Sequence, residues 1–339
     1  MLIIKLTVRS FLFCLLLLSS LSRAETINLA VPGPGSLVYL PVQLAVAVEA
    51  DKAEGLDLKL RFFSGGPLAL RDLSEHNSDF TVAGLPAIAS ARADKMPVLA
   101  IGQLSQAAMV SLILRKDLKG KVHNIAQLKG RRIGVNTSTR TARSTSQMLA
   151  EYLLNNAGLN ADDVQIIPAG QTREAQRSAL IGETVDAVMG DEPFATELAS
   201  KNEASILLDL YNPQRSRELL GGPFVHAALA TREDVFKEHR LVAVKVQHMF
   251  DKTLQWMNSH SAQEILDKLA NQPGFDPQRN QILLSVMQRN PKMYPVQCAW
   301  DPKAILTTER FFHGMAADQA ESSLHFSEFV RNASPEVRP

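Results

Sequence analysis

The chain has 339 residues, of which 45% are hydrophobic, with 36 Lys and Arg against 35 Asp and Glu. That length and apolar content suffice for a large core and, at the usual domain size, for two domains. A net charge so close to zero leaves no electrostatic footprint for nucleic acid or for insertion at an anionic membrane surface.

Residues 1–24 read as a secretory signal peptide: Lys5 and Arg9 flank an apolar run from Phe11 to Leu18, and Ser22-Arg23-Ala24 sets small residues where a signal peptidase cleaves. The run is shorter than the roughly 20 residues of a membrane-spanning helix. Cys14 lies inside it behind bulky Phe13, which does not suit a lipidated cleavage point. The expectation is a soluble periplasmic chain with Lys5, Arg9 and Arg23 removed, leaving 33 basic against 35 acidic groups. Cys298 then has no internal disulfide partner and reads as a small buried apolar residue. No spacing calls for a structural zinc site, and no cofactor is expected.

From Thr26 onward, short β-type runs alternate with helical patterns: residues 27–31, 42–50, 56–63 and 68–73. Further strands are expected at 80–83, 98–102, 111–115, 132–135, 164–168, 187–189 and 206–209. This is the rhythm of an α/β fold with mostly parallel sheets flanked by helices. Between residues 142 and 157, Met148, Leu149, Tyr152, Leu153 and Ala157 share one helical face, and Gly158 follows as a cap. Beyond Val235 the pattern is almost wholly helical, at 241–259, 262–270, 277–289 and 302–317, and the tail from Asn332 reads as frayed.

Two strands end alike, residues 110–114 in Arg115-Lys116-Asp117 and residues 227–230 in Thr231-Arg232-Glu233-Asp234. They read as crossovers between two lobes, one of residues 25–114 and 228–339, the other of residues 115–227. Two unrelated strands with charged turns are the plainer alternative.

In open α/β sheets, ligands collect beyond the carboxyl ends of the strands. The first such loop, Pro32 to Tyr39, offers backbone amides, the Ser36 hydroxyl and the Tyr39 ring. Ser64-Gly65-Gly66-Pro67 and Ala83-Gly84-Leu85-Pro86 let backbone approach closely before a helix, and Gln103 to Gln106 adds amides. The strongest polar cluster is Asn136-Thr137-Ser138-Thr139-Arg140-Thr141, read as the N-terminus of the 142–157 helix. Hydroxyls and one Arg there suit an anion, or simply cap the helix beside a solvated Arg140 or Arg143. Gln171 precedes the next helix in the same manner. Asp191 and Glu192 could serve as acid and base, but neighbours in a chain point apart, which favours polar contacts or capping. His226 lies near the second crossover and is a candidate for the cleft. No nucleophile elbow, phosphate loop or HExxH motif is present, so no enzymatic activity is expected.

Several stretches, in order, carry a family resemblance. They are Gly55-Leu56-Asp57-Leu58, the run Leu128-Lys129-Gly130-Arg131-Arg132-Ile133-Gly134-Val135, Ala157-Gly158-Leu159 with Asp162-Asp163-Val164, Ala179-Leu180-Ile181-Gly182 with Val185-Asp186-Ala187, and Glu192-Pro193. Over nearly the whole chain after residue 24 it resembles the type II periplasmic binding proteins of the nitrate, sulfonate and taurine branch, also related to pyrimidine-precursor binding proteins of thiamine metabolism. The resemblance implies two lobes that shut by a hinge over a small-molecule ligand and deliver it, as a monomer, to an ABC transporter permease. By position it places Ser36, Tyr39, Gly65, Gly84, Gln103, Thr137, Thr139, Arg140, Gln171 and Glu192 at or near the cleft. The expected solute is small and anionic or aromatic, with Arg140 and the hydroxyls as its anion site and Tyr39 and Phe194 as stacking surfaces. Gln127, where the family has Asp, and the Gly33–Ser36 loop depart from the pattern. A same-fold enzyme and a sensor module for a membrane receptor stand as alternatives.

Overall fold

The computed structural model describes residues 24–137 and 142–334. The chain begins with β1 (Glu25–Pro32), α1 (Leu40–Ala47), β2 (Leu56–Phe63), α2 (Gly66–Ser74), β3 (Phe80–Gly84), α3 (Leu85–Ala93) and β4 (Val98–Gln103). It continues through β5 (Val110–Arg115), β6 (Arg132–Val135), α4 (Thr145–Asn156), β7 (Gln165–Pro168), α5 (Arg173–Ile181), β8 (Ala187–Asp191), α6 (Phe194–Ser200) and β9 (Ala204–Asp209). Then come α7 (Pro213–Leu220), β10 (Ala227–Arg232), α8 (Glu233–Glu238), α9 (Arg240–Ser259), α10 (Ala262–Leu269), α11 (Asn280–Arg289), α12 (Pro302–Gly314) and α13 (Gln319–Ser323). Among the described residues no helix is long and apolar enough to cross a membrane. The expected signal peptide, up to residue 23, lies outside the described residues.

The strands form two five-stranded sheets of the same design, ordered β2-β1-β3-β10-β4 and β7-β6-β8-β5-β9. In the first, β1 runs parallel to β2 and β3, and β10 runs antiparallel to β3 and β4. In the second, β6 runs parallel to β7 and β8, and β5 runs antiparallel to β8 and β9. The reversed strand in each sheet is the one that arrives from the other half of the chain. The expectation of mostly parallel sheets holds for the remaining pairs.

The chain therefore changes sheet twice, between Gln103 and Val110 and between Asp209 and Ala227. Residues 110–114, grouped with the first lobe in the sequence reading, belong to the second sheet: the chain crosses before this strand, not after it. An apolar run ending in a charged turn shows where a strand stops but not which sheet it joins.

Sequence character follows position. Strands β3, β4, β8 and β10 are buried along their whole length and are apolar or small-residue runs up to their last residue, which is Gln103, Asp191 and Arg232 in the latter three. Edge strand β2 keeps Leu56 and Leu58 inside and turns Lys59 and Arg61 outward, a charge pattern that discourages further strand pairing. Helices α9 and α10 pack on α1, α12 and α13 on α3, so the C-terminal third completes the first lobe.

The tail is not frayed at Asn332. The Ala100 amide donates to the Phe329 carbonyl at 3.0 Å and the Arg331 amide to the Ala100 carbonyl at 2.8 Å, which lays the segment along β4. Arg240 donates to the carbonyls of Asn332 and Ala333 at 2.9 and 2.7 Å. Anchoring through backbone carbonyls leaves no mark in side-chain periodicity.

Cys298 is buried and free, and burial pushes its thiol well above the ordinary value. Its Sγ would lie 2.3 Å from a Cβ added at Gly102 in β4. Gly102→Ala is expected to destabilise the protein by about 1–3 kcal/mol in urea denaturation, the cost of overpacking, and Cys298→Ala in the same chain to recover most of that loss. An unchanged midpoint for G102A would mean that this segment does not seal β4.

Candidate functional site

The loops at the carboxyl ends of the central strands of the two sheets face each other. From the first sheet, Ser36 caps the turn Leu37–Tyr39, its hydroxyl accepting the Val38 amide at 3.3 Å. Gly65 and Gly84 stand immediately before α2 and α3, where Pro67 and Pro86 start the helices without needing an amide partner. From the second sheet come Asn136 after β6, Gln171 after β7, and Asp191, the last residue of β8. Together they enclose a cavity of about 20 Å³, lined by Tyr39, Gly84, Asn136, Gln171, Asp191 and His226, with Ser144, Thr145 and Ser146 at the start of α4. Such a space holds about one water molecule.

Asp191 is the hub. It is 1% exposed, and its carboxylate accepts from the Ser36 hydroxyl of the opposite lobe at 3.0 Å and from the side-chain amides of Asn136 and Gln171. Gln176 donates to the Asn136 carbonyl oxygen at 2.9 Å, which turns the Asn136 amide nitrogen toward Asp191. Burial pushes the Asp191 carboxyl up to about 7, and the neighbouring Glu192 adds to this, against the pull of Ser36, Gln171 and Asn136. Tyr39 is raised above the ordinary phenol value by burial and then by Asp191, so it stays neutral.

His226 is buried, and burial lowers its pKa to about 4. Its Nδ1 accepts the Met109 amide at 3.1 Å, so the neutral ring carries its proton on Nε2. The ring is thus a hydrogen-bond donor at neutral pH, not a base.

Two glycines set how near the lobes come. Gly65 has φ 142°, and a Cβ there would stand 3.0 Å from the Asn136 carbonyl oxygen and the Thr137 Cα. A Cβ on Gly84 would stand 2.0 Å from the Thr145 Oγ1. Both approaches cross between the lobes, so the absence of a side chain is what lets them meet.

Of the residues expected at the cleft, the structure brings together Ser36, Tyr39, Gly65, Gly84 and Gln171. Thr137 is buried beside them, its carbonyl accepting the Gly170 amide at 2.8 Å. Thr139 and Arg140, with Ser138 and Thr141, lie outside the described residues. Gln103 faces elsewhere: its side-chain oxygen accepts the Asp301 amide at 3.1 Å, because β4 is sealed by the C-terminal segment. Glu192 also turns away, accepting from the Thr196 amide and hydroxyl at 3.1 and 2.9 Å and pairing with Arg289 at 3.3 Å. Consecutive residues at a strand end point to opposite sides, so the carboxylate in the cavity is Asp191. Phe194, expected as a stacking surface, is buried with Arg279 lying 5.6 Å from its ring centre.

Helix α4 begins at Thr145, with Ser144 accepting the Gln147 amide, later than the sequence reading had it. Asn136 nonetheless reaches the first turn of this helix, its amide donating to the Ser146 hydroxyl at 2.8 Å. Arg143 is not a solvated charge: it pairs with Glu151 on its own lobe and with Glu321 of α13 on the other at 2.9 Å.

Further ion pairs bridge the lobes on the side of α11. Arg279 meets Glu197 of α6 at 2.8 Å, a carboxylate also held by Arg173 and Lys201, and Arg289 reaches Glu192 and Asp209 at 3.3 and 3.6 Å. These pairs have no sequence signature, since Glu197 and Arg279 stand 82 residues apart in the chain.

The geometry can be set beside known proteins. YtlA of Bacillus subtilis (strain 168) is 24% identical over 287 residues, 81% of this chain and 78% of that one. The alkanesulfonate-binding protein SsuA from Xanthomonas axonopodis pv. citri, bound to MOPS, superposes with a TM-score of 0.70 at 14% identity, covering 91% of this chain and 98% of its own. A Candida albicans protein described as having the generic periplasmic binding protein fold superposes with a TM-score of 0.71 at 13% identity, covering 93% and 99%. The family model described as NMT1/THI5 like matches residues 51–264, from the approach to β2 into α10. With that match over more than half of its length, the chain belongs to the NMT1/THI5-like family and has the fold of the periplasmic binding proteins.

Proposed function

We propose that this chain is the exported solute-binding component of an ABC importer, which closes two lobes over a small polar solute and presents the closed form to a membrane permease. The observation that carries the reading is the buried polar cavity built from both sheets at once, with Ser36 of one lobe bonded to Asp191 of the other. A group enclosed this way is reached only when the lobes part, and the two sheet-changing connections are the natural hinge. On this reading room for about one water makes the form described here the shut one, which an organic solute enters by opening.

Binding without turnover fits the chemistry of the lining. His226 receives a backbone amide on Nδ1, the nitrogen that would have to take up a proton, so it is not set to activate the hydroxyls of the lining. The anionic solute expected from the sequence rests on Arg140 and Thr139. Among the described lining residues the formal charge is that of Asp191.

Gly84→Ala tests closure directly, because the new methyl group meets Thr145 of the other lobe. The variant should fold, give a larger radius of gyration than wild type in solution scattering, and bind a co-purifying solute at least about tenfold more weakly, about 1.4 kcal/mol. Thr145→Gly in the same chain should restore both. A compact G84A protein with wild-type affinity would sink the clamp.

The ion pairs give a second test. Burial would raise the Glu197 carboxyl, but Lys201, Arg279 and Arg173 outweigh it and hold it below its ordinary 4.5. A depressed carboxylate contributes stability that is present above that value and is lost as pH falls through the lowered one. Arg279→Ala should cost about 1.5–3 kcal/mol at neutral pH, the range for a bond to a charged group, and the difference from wild type should shrink in urea titrations below about pH 4. A pH-independent difference would assign Arg279 to packing instead.

A further inference from the structure

We propose that the cleft selects a small solute that presents a protonated nitrogen to the Asp191 carboxylate, a deepening that rests on the solute-binding reading above. In the closed form each polar contact made to this carboxylate is a donor from the protein itself: the Ser36 hydroxyl, the Asn136 amide and the Gln171 amide. The site is thus built to hold a negative charge away from water, and Gln176 behind Asn136 fixes the orientation that does so.

Among the described residues, the groups around Asp191 do not neutralise it. Tyr39 from the first lobe is a neutral phenol and His226 from the second connection is a neutral imidazole. Glu192, the next residue along, adds like charge and faces Thr196 and Arg289 on the far side of the strand. Arg143, just before α4, is committed to Glu151 and Glu321. Among the described residues this buried carboxylate has no cation against it, the arrangement that a cationic guest completes by displacing one or more of the three donors and taking up their place. An anion admitted to the same cavity would lie against a like charge, unless Asp191 were protonated.

That last alternative makes the proposal testable, because the two guests demand opposite protonation states. Burial raises the Asp191 carboxyl to about 7. A cation needs the ionised form, so its affinity should rise toward alkaline pH and fall by up to about tenfold per unit once the pH is below that value. An anion accepting from the protonated carboxyl would show the reverse slope. His226 stays neutral throughout this range and cannot produce either trend.

The experiment is calorimetric titration of the full mature chain from about pH 5 to about pH 8 with two probe sets. One holds methylamine, acetamidine and methylguanidine, all protonated throughout this range; the other holds methanesulfonate, nitrate and acetate. The expected result is binding within the first set that strengthens with pH, with Asp191→Asn weakening it by about 10- to 100-fold and abolishing the slope. Should D191N not fold, the pH slope of the wild-type protein decides the matter alone. Binding confined to the second set and strengthening toward acid, with lobe closure in scattering, would overturn the nitrogen preference and leave the solute-binding reading standing. No binding from either set, with no change in scattering, would overturn both.

Discussion

The burial of one carboxylate between two lobes is the constraint on which the arrangement turns. Asp191 ends the central strand of the second sheet, where the backbone delivers it to the cleft whatever its side chain. Taking that group out of water is unfavourable unless donors surround it, and the donors come from three loops and both lobes: Ser36, Asn136 and Gln171. The closed form is therefore self-satisfied in polar terms. Any guest must offer what these donors offer, or better, which makes the site selective by chemistry as well as by size.

The topology explains why the site lies where it does. Each sheet ends its parallel strands at the same edge, and the two connections that change sheet bring those edges face to face. Around the rim, Arg279 with Glu197 on one side and Arg143 with Glu321 on the other join the lobes through largely buried charges. Their partners on the same lobe, Arg173 and Lys201 for Glu197, and Glu151 for Arg143, remain in contact if the lobes separate. Opening thus strips each buried charge of one partner without leaving it alone, which keeps the difference between the two forms small enough for a ligand to reverse.

What could be read from the sequence follows from what is local. Strand β2 was legible to the residue, because Leu56 to Phe63 alternates between turn signals, and Gly65 and Gly84 were legible as points of close approach, because Pro67 and Pro86 mark the helices they precede. The sheet to which residues 110–115 belong was not, since pairing partners are set by packing far along the chain. Gln103 and Glu192 were placed in the cleft by their position after a strand, and each turned away: the distant C-terminal segment captures Gln103, and Glu192 is captured by Thr196 one turn on together with the distant Arg289. Asp191 carried the same weak signal as Glu192. Only the alternation of side chains at a strand end, combined with which face meets the other lobe, separates them.

That separation has a mechanical consequence. Asp191 faces the cavity, while Glu192 faces the rim, where its side chain meets Arg289 of α11 and its carbonyl accepts the Leu37 amide at 2.9 Å. Leu37 directly follows Ser36, the donor to Asp191. Two adjacent residues of the second lobe thus bond two adjacent residues of the first, one pair through side chains in the cavity and one through the backbone. A guest that displaces Ser36 from Asp191 leaves the Leu37 bond to hold the lobes in register, so polar exchange within the site need not open it. Under the proposed function, this pairing lets the solute replace a protein donor while closure is retained.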